Sequence, residues 1–363
     1  MARKIFDRLQ NDLLQRYSSM TLTHVLRAGN MPPEFIVLEN LLSSSKSWAH
    51  QQILAEVDYH GEIFPLHGLR FGTAREGVPV LFFIGGIHGI ERIGAQVVLA
   101  FLDNFVQRLQ WDDSIKYTLE NLRIWFVPIA NPVGLKYNLR SNGNHVDLMR
   151  NAPVDADSKV TPLVGGQRLS HFLPWFRGDQ HGMELESSAL CDLVLSETEQ
   201  SPLSLLLDVH SGFGTHDRLW FPLASSHHPI EHLPEYFRLY SLLKQNYPNH
   251  KYIFEPQSAN YLTHGDLWDY CYLRAGSENR LFLPLTLEMG SWRWLKKNPL
   301  QLSPMGIFNP IKPHRLQRTL RGHLTLMEFL IRASRSWRNW IPRPDQREDD
   351  RRSGMEKWYY VNE

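Results

Sequence analysis

The run "VLFFIGGIHGIERIGAQ", from Val80 to Gln96, ends what reads as a buried strand by placing His88 and Glu91 three residues apart. A buried imidazole and a buried carboxylate each cost several kcal/mol unless something satisfies them. Two more apolar runs end in the same way: "LSLLLDVHSG" delivers His210 and "RLFLPLTLEMG" delivers Glu288. Two imidazoles and one carboxylate, with a water in the fourth position, make the usual catalytic zinc site. His88, Glu91 and His210 supply that inventory. The H-x-x-E spacing suits a strand turning into a helix, with His88 leaving the strand and Glu91 opening the first turn. Alone it is a weak signal in a chain of 17 histidines. Its place after paired glycines, in company with a strand-end His and a strand-end Glu, gives it weight.

The elements that position these groups are legible too. "VPVLFFIGG" is a short all-apolar run bounded by glycine, as a central parallel strand should be. Behind it Ile93, Val97, Phe101, Phe105 and Leu109 recur every fourth residue, which is one face of a helix. "LRIWFVPIANP" reads as a second buried strand stopped by Asn-Pro. In the Glu288 strand, Leu283, Leu285 and Leu287 face one side while Thr286 and Glu288 face the other. The alternation of apolar runs and helix-period segments predicts an α/β fold: a mixed, mostly parallel central sheet with helices on both faces. In such sheets ligands bind beyond the carboxyl ends of the strands, where all these groups lie.

Composition bounds the alternatives. The chain has 363 residues, 42% hydrophobic and 21% charged, with a formal net charge of +1. That balance gives no reason to expect nucleic acid or an anionic membrane surface as partner. No apolar run approaches the ~20 residues of a membrane span. "MARKIFDRLQNDLLQRY" lacks the apolar region of a secretory signal, and two cysteines, Cys191 and Cys271, cannot form a disulfide framework. A soluble, cytoplasmic protein is expected. Three zones follow: residues 1–48 as an N-terminal helical extension, 49–333 as the catalytic domain, and 334–363 as a charged, solvated tail. The amphipathic stripe of the extension reads as domain packing or a subunit contact, so a homo-oligomer is allowed for. His227, His228 and His232, in "SSHHPIEH", read as a solvated loop. There is no P-loop and no G-x-S-x-G elbow.

From about His60 to Trp292 the sequence resembles the M14 family of zinc carboxypeptidases. The pieces come in family order: "GGIHGIE", "NPVGLKYNLRSNGNHVDLMRN", "LLLDVHS", "YLTHGDLWDY" and "LTLEMG". The resemblance implies that His88, Glu91 and His210 bind one Zn2+. It makes Glu288 the general base, taking a proton from water and passing it to the leaving amine. Arg140 would stabilise the developing oxyanion, and Asp147 would accept the free ring N–H of His88. Arg150 would pair with a terminal carboxylate, and Tyr261 stands where a substrate-closing tyrosine is expected.

Two departures bear on substrate. Where the family has Asn before the arginine of "DLNRN", this chain has Met149, and a thioether has no N–H to donate. His145 replaces the residue before Val146, which puts it close to the site and open to a second metal. The expected function is hydrolysis of an amide bond near the C-terminus of a peptide. An N-acyl amino acid deacylase on the same fold, acting on a small acylated amino acid, and a catalytically weak metal-binding protein are the competing readings. Asp208, on the same strand face as His210, either braces that imidazole or serves a separate hydrogen bond.

Overall fold

A computed structural model of the chain describes residues 31–180, 182–275 and 280–360. Its centre is an eight-stranded sheet in the order β1-β2-β4-β3-β5-β8-β6-β7. The strands are β1 (Ala49–Tyr59), β2 (Glu62–Gly72), β3 (Val80–Gly85), β4 (Arg123–Val127), β5 (Leu203–Ser211), β6 (Arg218–Phe221), β7 (Ile253–Pro256) and β8 (Leu281–Met289). The central run β4-β3-β5-β8 is parallel. β1, β2 and β4 pair antiparallel, and β6 runs antiparallel to β8 and parallel to β7.

All six residues of β3 and all nine of β5 are buried, because both faces of the central sheet are covered. One face carries the Arg92–Arg108 and Leu324–Arg335 helices, and Leu185–Glu199 packs against β1 and β3 while Leu267–Ala275 packs against β8. The expected helical stripe is the buried face of Arg92–Arg108: Ile93, Val97, Phe101 and Phe105 are each 2% exposed or less. Phe83, Phe101, Phe105 and Phe126 meet with ring centroids 5.2 to 6.4 Å apart, locking this helix to β3 and β4.

The edges were not anticipated. β1 and β2 form a long hairpin turned by His60 (φ 55°) and Gly61 (φ 79°), a positive-φ pair of the kind two-residue hairpins need. Residues 1–30 of the expected extension lie outside the described residues. Its remainder contains the helix Pro33–Ser44, docked on the domain by Glu34, which accepts from Arg92 and from Gln96 Nε2 at 2.6 Å.

The solvated tail is corrected. The 333/334 boundary falls inside the Leu324–Arg335 helix, and Arg347–Trp358 is a helix packed on Leu233–Asn246. Trp358 drives this: its indole donates to Phe254 O at 2.7 Å and its ring lies 4.9 Å from Phe221. Charges that cancel along the sequence are used in pairs across the interface, Arg238 with Asp350 at 2.5 Å and Arg347 with Glu235. Among the described residues no helix is long and apolar enough to cross a membrane.

Candidate metal centre

His88, Glu91 and His210 converge at the carboxyl ends of β3 and β5. Each offers one donor atom within 4.8 Å of the others, and all three are buried. The turn after β3 is held from several sides. Gly89 packs so closely on the Pro132–Tyr137 helix that a Cβ there would fall 1.9 Å from the carbonyl carbon of Gly134. Ile90 N donates to Leu139 O at 2.7 Å. Asn131 caps the same helix through Gly134 N (2.8 Å) while its amide donates to Ile87 O (3.1 Å) and Ser141 O (3.0 Å). Asn309 accepts from Ile93 N at 3.0 Å and donates to Ile90 O at 2.8 Å. Neither asparagine was singled out in the sequence. The Asn-Pro dipeptide was legible as a stop signal, but its second use, as a clamp on the His88 turn, is a tertiary contact.

Within the cluster the His88 and His210 rings lie 4.9 Å apart. Glu91 Oε2 accepts from Ser211 N at 2.9 Å and lies 3.4 Å from His210 Nδ1. Arg140 reaches in from the far side: Nη1 donates to Glu91 Oε1 at 2.6 Å and Nη2 to His88 Nε2 at 2.9 Å. Its Nε donates to Asp147 Oδ2 at 3.1 Å. Burial opposes charge on Arg140, yet Asp147 and Glu91 outweigh it and hold the guanidinium firmly protonated. Burial also works against Glu91, but the two imidazoles and Arg140 bring its carboxyl down to about 2.

The expected hydrogen bond from His88 to Asp147 is not formed. His88 Nδ1 lies 3.7 Å from Asp147 Oδ1, and this buried nitrogen has no hydrogen-bond partner. Asp147 is already engaged, with Oδ1 accepting from Met149 N and Oδ2 taken by Arg140. His210 is braced instead by Asp208, whose Oδ2 lies 2.6 Å from His210 Nε2. Burial disfavours charge on His210, but Asp208 and Glu91 raise it well above the usual range.

Glu288 sits directly across from His210 in the β5/β8 register. Its Oε1 accepts from Phe213 N at 2.9 Å, and burial together with the neighbouring Glu91 pushes its carboxyl up to about 8. Arg293 does not neutralise it; Arg293 pairs with Asp217 at 2.8 Å.

Arg150 and Tyr261 come from separate segments and lie close enough for the guanidinium to act on the phenol. Arg150 is buried and donates from Nη1 to Met149 O at 3.1 Å. The 261–266 loop lies against it because Gly265 (φ +73°) has no Cβ, which would fall 1.9 Å from Arg150 O. Burial raises the Tyr261 hydroxyl above its usual value, against the pull of Arg150. Its ring lies 5.7 Å from Phe213.

Met149 is 4% exposed and packs in the hydrophobic core. His145, expected near the metal, is exposed at a positive φ of 62° and stacks near His171, with centroids 5.9 Å apart. Among the described residues His88, Glu91 and His210 are the one group able to hold a metal. His227 and His228 are exposed as expected, but His232 is buried against the Tyr272 hydroxyl, 2.8 Å from Nδ1.

Two imidazoles and a carboxylate, with His88 Nδ1 buried and unpartnered, fit a tetrahedral zinc with one open position. Known proteins are similar to this chain. Carboxypeptidase SOL1 of Arabidopsis thaliana is 31% identical over 78 residues, covering 22% of this chain and 16% of that protein. Carboxypeptidase M of Mus musculus is 31% identical over 88 residues, covering 22% of this chain and 20% of its own length. The chain thus spans a fifth or less of the length of these relatives. Thrombin activatable fibrinolysis inhibitor shares the fold, with a TM-score of 0.61 at 17% identity over 82% of this chain and 72% of that one. The zinc carboxypeptidase family model, Peptidase M14, matches residues 57–301. With that match spanning most of the chain, and a His-Glu-His set at its strand ends, the protein belongs to the M14 zinc carboxypeptidase family.

Proposed function

We propose that the protein is a zinc-dependent carboxypeptidase-type hydrolase that cleaves an amide bond near the C-terminus of a peptide. The observation that carries the reading is the placing of Glu288 opposite His210, a carboxyl the metal ligands themselves do not need. His88, Glu91 and His210 hold the metal, whose contribution when bound is Lewis acidity toward a carbonyl oxygen and toward water. Glu288 then takes a proton from the attacking water on its carboxylate and returns it to the departing amine nitrogen. The Phe213 N–H fixes one of its oxygens, leaving the other for that transfer. Arg140, about a quarter exposed while bound to Glu91, turns toward the oxyanion as charge develops there. Arg150 and Tyr261 receive the substrate's terminal carboxylate, the guanidinium supplying charge and the phenol a donor.

The match to the carboxypeptidase family favours this reading over the deacylase. A cytoplasmic location is part of the same proposal, supported by Cys191 and Cys271 being free and buried. The test is dialysis against a chelator, assayed on a short blocked peptide with a free C-terminus. Activity should vanish and return with zinc, and full activity in the stripped protein would refute the proposal.

A further inference from the structure

The geometry points to Asp208, backed by Trp268, as the positioning residue that sets which ring nitrogen His210 presents to the metal; this rests on the zinc reading above. Asp208 precedes His210 by two residues on β5, so both project from the same side of the sheet. Opposite them in register on β8 stand Thr286 and Glu288. Asp208 is wholly buried, and Oδ2 takes two contacts: His210 Nε2 at 2.6 Å and the Trp268 indole N–H at 2.8 Å. Its other oxygen has no hydrogen-bond partner. A carboxylate in that position is costly unless charge-assisted donors offset the burial, and those two N–H groups are what it has.

The consequence is directional. With Nε2 occupied by Asp208, Nδ1 is the nitrogen left to face the metal, and it stands 3.4 Å from Glu91 Oε2. The ring is therefore oriented toward the other two ligands before a metal arrives. Trp268 is itself rigid: it lies in the Leu267–Ala275 helix, and its backbone N–H donates to Asp266 Oδ1 at 2.9 Å. The brace runs from a helix, through a carboxylate, to a ligand. Outer partners of this kind typically contribute about 10- to 100-fold in metal affinity. Asp147, which approaches the other imidazole, stays 3.7 Å from His88 Nδ1, so the shorter carboxylate–imidazole contact is made on His210.

The test compares the wild-type protein with Asp208→Asn and Trp268→Phe. Zinc affinity is measured by competition with a chromophoric chelator, and long-range ¹H–¹⁵N spectra of the zinc-loaded proteins report which His210 nitrogen carries the proton. Expected is a 10- to 100-fold weaker Asp208→Asn complex, a several-fold weaker Trp268→Phe complex, and loss of the deshielded Nε2 proton in the first. Asp208→Asn binding within twofold of wild type, with an unchanged His210 proton signal, overturns the inference while leaving the zinc site intact. A wild-type protein that binds no zinc overturns the zinc reading itself. If Asp208→Asn does not fold, Trp268→Phe decides alone: wild-type affinity and an unmoved Nε2 proton would overturn the brace.

Discussion

Replacing Glu288 with Gln should change how the metal-free protein's stability depends on pH. The side chain is 7% exposed and lies against Glu91, and its carboxyl is pushed from a reference of 4.5 to about 8. A carboxyl raised on folding binds a proton in the native state that the unfolded chain has released. Its contribution is therefore complete below the unfolded value, near pH 4.5, and is lost as pH rises toward 8. One proton of difference corresponds to ~1.4 kcal/mol per pH unit. Between pH 5 and pH 7 the wild type should lose about 3 kcal/mol that Glu288→Gln keeps, since the amide has nothing to ionise.

Urea denaturation of both chelator-treated proteins at half-unit steps from pH 5 to pH 8 measures this directly. Stability of the wild type should fall more steeply with pH, by about one proton. Saturating zinc should bring the two slopes together, because a nearby dication stabilises the carboxylate and lowers its titration range. Parallel profiles without metal would refute the placing of Glu288 in a buried site facing Glu91. Profiles that differ equally with and without zinc would refute its placing beside the metal.

Three other outcomes follow from individual side chains. Arg150→Ala should lower kcat/KM on a free C-terminal acid by roughly 100- to 1,000-fold, the loss of a buried charge pair, while leaving the C-terminal amide rate near wild type. Equal losses on both substrates would mean Arg150 does not read the carboxylate. Met149→Asn should cost about 2–3 kcal/mol, because the side chain is buried in the core, and should not sharpen preference for the free acid. A sharper preference would show that position 149 reaches the substrate. Trp358→Ala should destabilise the fold by about 2–3 kcal/mol in calorimetry or urea melts, by removing its half-buried ring from Phe221 and Phe254. A change under about 0.5 kcal/mol would show the terminal helix to be undocked in solution.

The centre of the molecule was legible because local pattern and tertiary position agree there. β3, β5 and β8 are continuous apolar runs, and each ends where its polar residue is needed. The edges were not. β1 alternates between half-buried and exposed positions with only Ala55 buried, so its apolar signal is diluted, and the His60-Gly61 turn was the clue available. The terminal helix has almost no apolar stripe and docks through one tryptophan and paired charges, which read as a solvated run until the partner surface is known. Met149 and His145 fail for a different reason. Neighbouring positions of an irregular loop do not alternate predictably between core and site, and the left-handed backbone at His145 turns its ring outward.

The charge of the site predicts what zinc must displace. Around the ligands stand the carboxyls of Glu91, Asp147, Asp208 and Glu288 and the guanidiniums of Arg140 and Arg150. With all of these ionised and both imidazoles neutral, the cluster carries two negative charges, which one dication balances and a second would overshoot. Without metal the site moves toward the same balance by favouring proton uptake: Glu288 is pushed up to about 8 and His210 is raised well above its usual range. Glu288 therefore holds a proton at pH 7 and gives it up when zinc binds, because the metal favours its anion. Calorimetric titration with zinc in buffers of different ionisation enthalpy should show about one more proton released per metal at pH 7 by the wild type than by Glu288→Gln. Equal proton release by the two proteins would mean that Glu288 does not titrate beside the metal.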